Sequence, residues 1–357
     1  LWKSAIDVLK KKNFKKEFKF KDRVLCQISE PIGVVGLIIP WNYPFIVTCE
    51  RLPFIIAAGC PVILKPSEFA SASMIHIVNA INMSSAPKQL INLVHGRGKR
   101  IGRALVSNKK INMISFTGST AVAKDIIKSS ITSIKKLSLE LGGKNPMVIT
   151  ADANINKSTN YVMENFLENG GQACIAGSIL YIEEKIYDQV KNILIKKLNF
   201  IKNYQYPITN QHNRIIKKKI ISSLKNGSSL VFGNKEDLKN NKPILPYILE
   251  NVNVKENLFV EEVFGTILIL KKFKKISSLI DSLNQNKYGL AVYLYSNKIN
   301  DINYFKDKIR YGRVWINCSL KYWNSKLTIG GFRDSGYGSE TSSEGLDNYT
   351  VNKSIIS

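Results

Sequence analysis

Acidic residues are scarce in this 357-residue chain: 27 Asp and Glu stand against 52 Lys and Arg, for a formal net charge of +25. Histidine is scarcer still, with only His76, His95 and His212, and none of them is spaced as a metal ligand. The five cysteines, Cys26, Cys49, Cys60, Cys174 and Cys318, are scattered and odd in number, and no two are spaced Cys-x-x-Cys. These shortages exclude a disulfide framework and a zinc site, so no metal is expected, and free thiols fit a reducing cytoplasm. Long apolar runs are also missing. The longest, at 32–41 and 54–64, are broken by Gly or Pro and fall short of the roughly 18 residues that span a bilayer, so no membrane segment is expected. Leu1-Trp-Lys opens directly into lysine-rich sequence with no secretory leader pattern and no initiator Met; a fragment of a longer protein is expected.

The positive charge invites a nucleic-acid partner. Against it, Lys is spread along the whole chain beside abundant Ile and Asn, and no recognised nucleic-acid module is present, so incidental surface charge is the expectation. The densest cluster, between Lys10 and Lys21, is a candidate anionic contact or a solvated edge carrying Phe anchors. With 44% hydrophobic residues the chain has the composition of an ordinary globular protein and length enough for two domains.

Strand and helix patterns alternate along it. Val24 to Pro40 alternates and then runs apolar, as a strand pair entering a core would, and stops at Pro40-Trp-Asn-Tyr-Pro44. Two prolines this close make a rigid loop at a strand's carboxyl end, where α/β sheets bind ligands. A helix is expected over Arg51 to Cys60, ending at Gly59, and a strand over Pro61 to Leu64 delivers Lys65-Pro-Ser-Glu68 to the same sheet edge. A carboxylate at Glu68 would hold a ribose diol and repel a 2′-phosphate, which favours NAD over NADP. Equally, Ser67 would cap the following helix with Glu68 in its first turn. Leu90 to Val94 leads into the glycine-rich His95–Gly102, and Ile111 to Phe116 into Thr117-Gly-Ser-Thr120 and a helix, a reasonable seat for a pyrophosphate. Lys136 to Leu139 then brings Glu140 to the edge, and a second α/β unit begins near Lys144. This alternation predicts a mostly parallel, doubly wound sheet.

Cys174 lies among Gly, Ala and Ser, where a substrate could approach a thiol, and a carboxylate such as Glu140 could serve it or a water as base. Each residue alone reads as well as a buried structural cysteine and a solvated glutamate. Leu139-Glu-Leu-Gly-Gly-Lys-Asn-Pro146 followed by Gly170-Gly-Gln-Ala-Cys174 nevertheless resembles the aldehyde dehydrogenase superfamily. From about Ile28 onward other motifs follow in that family's order: Phe116-Thr-Gly-Ser119, Glu261-Glu-Val-Phe-Gly265, Asn286-Lys-Tyr-Gly-Leu290, Gly312-Arg-Val-Trp-Ile-Asn317 and Gly330 through Glu340.

The resemblance implies that Cys174 is the nucleophile, Glu140 the general base and Asn42, with the Cys174 N–H, the oxyanion hole. It implies cofactor contacts from Ile39, Pro40, Trp41, Lys65, Ser67, Glu68, Gly98, Gly118, Ser119, Val122, Leu141, Gly142, Glu262 and Phe264. Glu340 matches a position in a buried proton relay, and Arg51 stands where a Lys is common. Tyr43 and Glu50 would line the substrate tunnel, with Tyr322 and Trp323 at its mouth, unless these aromatics are core packing. Trp315-Ile-Asn-Cys318 and Gly345-Leu-Asp-Asn-Tyr349 resemble the betaine-aldehyde and aminoaldehyde branch. The alternatives are a general aliphatic or aromatic aldehyde dehydrogenase, and a catalytically impaired homologue. The implied architecture is an NAD-binding domain at 1–143 with a bridging strand near 16–30, a catalytic α/β domain at 144–334, and a return segment with a C-terminal oligomerisation strand at 335–357. A homo-oligomer, dimer or tetramer, is expected. Departures from the family pattern are Ala123 for Gly, Ile179 for Arg, Thr266 for Pro, and a start well inside a family-length sequence.

Overall fold

The structure, a computed structural model, describes residues 1–131, 133–240 and 242–357. The chain divides into two compact units. The first comprises Leu1–Leu141, Asn324–Gly330 and Gly336–Ser357; the second comprises Gly142–Trp323 and Gly331–Ser335.

In the first unit, α1 (Trp2–Lys11) precedes β1 (Lys15–Phe20), which is exposed throughout and pairs antiparallel with β2 (Arg23–Pro31). The other edge of β2 takes the antiparallel strand Thr350–Ile356, so the C-terminal strand pairs within its own chain. The larger sheet is built on β3 (Val35–Ile39), whose five apolar positions are all buried. An apolar run without alternation belongs at the centre of a parallel sheet covered on both faces. β4 (Val62–Pro66) and β5 (Ile91–Leu93) follow on one side of β3, with β6 (Met113–Thr117) and β7 (Lys136–Glu140) on the other, all parallel. The antiparallel strand Gly336–Tyr337 closes the β7 edge. Val35, Leu37 and Ile39 pack with α2 (Pro44–Ala57) and α3 (Ser71–Asn82), whereas Ile38 packs with α4 (Arg103–Ser107) and α5 (Thr120–Ser130). The sheet is therefore doubly wound. Its strand order reverses between β3 and β6, which opens a crevice at their carboxyl ends.

Two local expectations fail. Helix α2 begins at Pro44 rather than Arg51, because Pro at the first helical position forgoes an N–H that has no intrahelical partner anyway. It also carries Pro53 in its interior, fully packed in the core with Leu52, Phe54 and Ile55. Ser67 caps no helix. The next helix starts at Ser71, and residues 67–70 form a turn in which the Ala70 N–H donates to the Ser67 carbonyl at 2.9 Å.

The second unit holds a seven-stranded sheet. β8 (Asn145–Ile149) lies inside it between β9 (Gly177–Glu183) and β14 (Ala291–Tyr295), fully buried. β10 (Ser229–Phe232), β11 (Tyr247–Glu250), β12 (Ile267–Phe273) and β15 (Arg313–Ile316) complete it, while β13 (Tyr288–Gly289) pairs apart from it with the strand Phe332–Arg333. The order is β10-β11-β12-β9-β8-β14-β15, parallel except at β10. Helices α6 (Ile155–Leu167) and α7 (Tyr187–Asn199) cover one face, and α8 (Asn210–Lys225) packs in the core on the other. Asn154 caps α6 by accepting the Lys157 N–H at 3.0 Å. Among the described residues no helix is long and apolar enough to cross a membrane.

Candidate active site

In the first unit the crevice is a cavity of about 840 Å³. Ile39, Pro40 and Trp41 reach it from the end of β3, Lys65, Ser67 and Glu68 from β4, and Gly98 from the turn before α4. Gly118, Ser119 and Val122 line it from the β6–α5 junction. Gly118 is dictated by sterics, since a Cβ there would lie 2.4 Å from the Phe116 ring. Ser119 caps α5 by accepting the Val122 N–H at 3.4 Å, which leaves other first-turn N–H groups directed toward a ligand of negative charge. The Lys65 ammonium, lowered by burial, donates to the Pro66 carbonyl at 2.8 Å. The segment Gly98–Gly102, read from sequence as a glycine-rich turn, is one turn of π-helix running into α4. Ala123 is buried against the β6 and β7 core, so its methyl group fills packing space there.

Glu140 ends β7 and is buried at 7% exposure. Its backbone is held from both sides: Gly118 N–H donates to its carbonyl at 3.1 Å, and the strand Gly336–Tyr337 pairs with it. Beneath it lies a charge cluster that sequence reasoning only half identified. Arg51 and Glu340, each 1% exposed, pair at 3.1 Å. Arg51 also donates to Thr117. Glu340 accepts from Ser138 and Tyr349 at 2.7 Å each, and Ser115 lies 3.1 Å from the Tyr349 hydroxyl. Burial opposes the Arg51 charge, but Glu340, Tyr349, Glu140 and Glu50 outweigh it and the net shift is upward. Burial, then Glu340, pushes the Tyr349 hydroxyl well above its usual value, so it stays a donor. Asn42 and Tyr43 lie half-buried in the loop before α2, and Glu50 half-buried within it.

In the second unit Cys174 is half-buried after a tight 3₁₀ turn, Glu168–Gly171. Gly170 and Gly171 adopt φ of 64° and 70°, and a Cβ on Gly171 would strike the Gly265 carbonyl group at 2.4 Å. The segment is clamped by its own carbonyls. Asn145 Nδ2 donates to the Cys174 carbonyl at 2.7 Å and to that of Ala176 at 2.9 Å. The Tyr293 hydroxyl donates to the Ile175 carbonyl at 2.7 Å. Gln172 ties the turn to Tyr206 and Ile208. These positioning residues went unassigned in the sequence, although Asn145 stands inside the glutamate motif itself.

Glu262 is half-buried, accepts the Gly143 N–H at 3.1 Å, and is pushed up to about 7 by burial. A Cβ on Gly142 would come within 2.3 Å of the Glu262 carboxylate, which would have to shift to admit it. Burial lowers Lys144 to about 7, and its ammonium donates to the Leu258 carbonyl at 2.8 Å. Phe264 takes φ of 58°, a strained value for a bulky residue, and its carbonyl lies 2.8 Å from His212 Nε2. Ile179 is fully buried in β9, which accounts for an apolar residue at that position, and Thr266 is also buried. Tyr322 is 65% exposed and Trp323 half-buried on the loop after β15. Leu141, by contrast, packs into the core beside β6 rather than into the cavity.

The aldehyde dehydrogenase family model matches residues 2–355. A putative aldehyde dehydrogenase, DhaS, of Bacillus subtilis is 32% identical over 336 residues, covering 91% of this chain and 68% of its own. The betaine aldehyde dehydrogenase of the same organism is 33% identical over 341 residues, covering 92% of this chain and 69% of its own. Among solved structures, the NAD-dependent aldehyde dehydrogenase of Sinorhizobium meliloti superposes with a TM-score of 0.93 at 28% identity, over 100% of this chain and 73% of that one. Motif order, sheet architecture and these likenesses agree along nearly the full length, and the chain belongs to the aldehyde dehydrogenase family.

Proposed function

We propose that the chain oxidises a cationic aldehyde, betaine aldehyde or an aminoaldehyde, to its carboxylic acid through a thioester on Cys174, with NAD preferred over NADP. Its being an NAD-dependent aldehyde dehydrogenase follows from the family and from the likeness to the Sinorhizobium meliloti enzyme. The finer assignments rest on its own residues. The cavity of about 840 Å³ suits a dinucleotide half, being within the roughly 300–1,000 Å³ of small-molecule sites. Lys65, Ser67 and Glu68 would hold the adenosine ribose, the Gly118-Ser119 turn the pyrophosphate, and Glu262 with Phe264 the nicotinamide end. NAD supplies the hydride acceptor.

Cys174 as thiolate attacks the carbonyl carbon, and Asn42 with the Cys174 N–H stabilises the oxyanion. After oxidation Glu140 takes a proton from water, which hydrolyses the thioester and returns the thiol. Glu340 passes that proton outward. Arg51 takes no part as a carrier, because a guanidinium stays protonated. The observation that carries this reading is the clamped Cys174 segment, in which Asn145 and Tyr293 fix the backbone around a half-buried thiol.

For the substrate, Tyr43, Glu50, Tyr322 and Trp323 supply aromatic faces and a carboxylate suited to an ammonium group, through attraction of roughly 0.5–2 kcal/mol per aromatic contact. The similarity to a betaine aldehyde dehydrogenase supports aldehyde oxidation, and the substrate class rests on these four residues. The exposed Ile355 and Ile356 on the C-terminal edge strand support a homo-oligomer, and the free cysteines support a cytoplasmic location. The test is NADH formation, followed by absorbance, with a panel of aldehydes including betaine aldehyde and a Cys174→Ala control. Turnover by the parent alone, fastest with cationic aldehydes, is expected; equal rates from Cys174→Ala would sink the scheme.

A further inference from the structure

In the second unit the carboxyl ends of β11 and β12 border another cavity, of about 450 Å³, which the aldehyde chemistry leaves unused. Tyr187 and Lys191 line it from the first turns of α7, Glu250 from the end of β11, and Lys271 and Lys272 from β12. Cys174 lies toward the opposite end of the same sheet, just before β9 begins. Lys272 pairs with Ile182, which places it roughly 16 Å along β9 from Gly177. The carboxyl ends of parallel strands are where α/β sheets hold ligands.

The cations around this cavity are held in position by the protein itself. Tyr187 is 4% exposed, and its hydroxyl donates to Glu250 at 2.9 Å. Two ammonium groups lie over its ring, Lys272 at 4.6 Å and Lys191 at 5.1 Å from the centroid, a contact that orients a cation without neutralising it. Lys191 also reaches Asp188 at 3.1 Å and Glu250 at 3.4 Å. Lys271 donates to the Val252 carbonyl at 3.3 Å and lies over the Phe259 ring at 5.6 Å. Among the described residues neither Lys271 nor Lys272 makes an ion pair. Three ammonium groups thus line the cavity beside one carboxylate. Attraction to such a surplus grows with the charge of the ligand, and the cavity exceeds the size of a single phosphate.

We propose that this cavity binds a small anion bearing two phosphoryl groups, held by Lys191, Lys271 and Lys272, at a site separate from the thiol and from the nucleotide crevice. Glu250 fixes Tyr187 and Lys191 and at the same time opposes the anion, so it limits the affinity.

The test is calorimetric binding of inorganic pyrophosphate to the whole chain, with and without saturating NAD, and of orthophosphate beside it. Pyrophosphate is expected to bind with a Kd below about 1 mM at low salt, more tightly than orthophosphate, and to weaken as salt rises. NAD should leave that affinity unchanged. Lys272→Ala should weaken binding about fivefold, and Glu250→Gln, which removes the opposing charge and keeps an acceptor for Tyr187, should strengthen it about threefold. Denaturation midpoints close to the parent's are expected for both variants. No heat up to about 10 mM pyrophosphate would overturn the assignment. So would loss of binding in NAD, equal affinity for orthophosphate, or one affinity shared by the parent, Lys272→Ala and Glu250→Gln.

Discussion

Replacing Arg51 with Met isolates the energetics of the buried cluster under Glu140. Both members of the pair are 1% exposed, and the nitrogen–oxygen separation is 3.1 Å. Removing one partner of such a pair leaves a buried charge uncompensated, a loss of about 3–5 kcal/mol. Here Ser138 and Tyr349 continue to donate to Glu340 at 2.7 Å each, so the expected loss lies near the lower end, about 3 kcal/mol. Arg51→Lys keeps the charge but loses the contact to Thr117 and should cost about 1–2 kcal/mol. The double variant with Glu340→Met removes both charges and should recover at least about half of the single loss. Chemical denaturation measures all three, and amide exchange should show weakened protection in β7 and in the strand Thr350–Ile356, whose first residue follows Tyr349. A loss below about 1 kcal/mol for Arg51→Met, with no recovery in the double variant, would refute the view that this pair organises the cluster.

Cys174→Ala should abolish NADH formation while leaving the denaturation midpoint close to the parent's; retained turnover would move the nucleophile elsewhere. Asn145→Ala strips donors from the Cys174 and Ala176 carbonyls, and should cost about 2 kcal/mol and lower kcat more than it raises KM. An unchanged kcat would show that the clamp does not position the thiol. Glu262 is raised from 4.5 to about 7 by burial, so its protonated form favours the fold. That stability is fully present below the unfolded value and is lost as pH rises through about 7, with a ceiling of about 3 kcal/mol. Glu262→Gln should flatten stability between those two pH values, and a persistent slope would place the titration on another group. Lys144, lowered from 10.5 to about 7, acts in the window above, where stability rises with pH as the buried amine loses its proton. Gly118→Ala should weaken binding of adenosine 5′-monophosphate and destabilise the β6–α5 turn, because the added methyl lies 2.4 Å from the Phe116 ring; an unchanged affinity would show that the turn adapts.

What the sequence determined by itself is what short-range chemistry controls. Apolar runs such as Val35–Ile39 and Asn145–Ile149 specify fully buried central strands, and their alternation with amphipathic segments specifies a doubly wound parallel sheet. Glycines at 118 and 171 mark the close approaches that exclude a side chain. The words around Glu140 and Cys174 identify the family. Tertiary structure alone decided the rest. The β-branched run Ile46, Val47 and Thr48 weighs against a helix, and the helix nevertheless starts at Pro44 because proline suits its first position and the core takes Val47 and Thr48. Ser67 turns rather than caps because the chain between β4 and α3 closes on itself first. Arg51, Ser115 and Ser138 come from distant parts of the chain to meet Glu340 and Tyr349, and Asn145, Cys174 and Tyr293 come together from three separate places. A buried polar group must find its partner wherever packing puts one, and sequence separation carries no record of which hydroxyl or amide will be brought within reach.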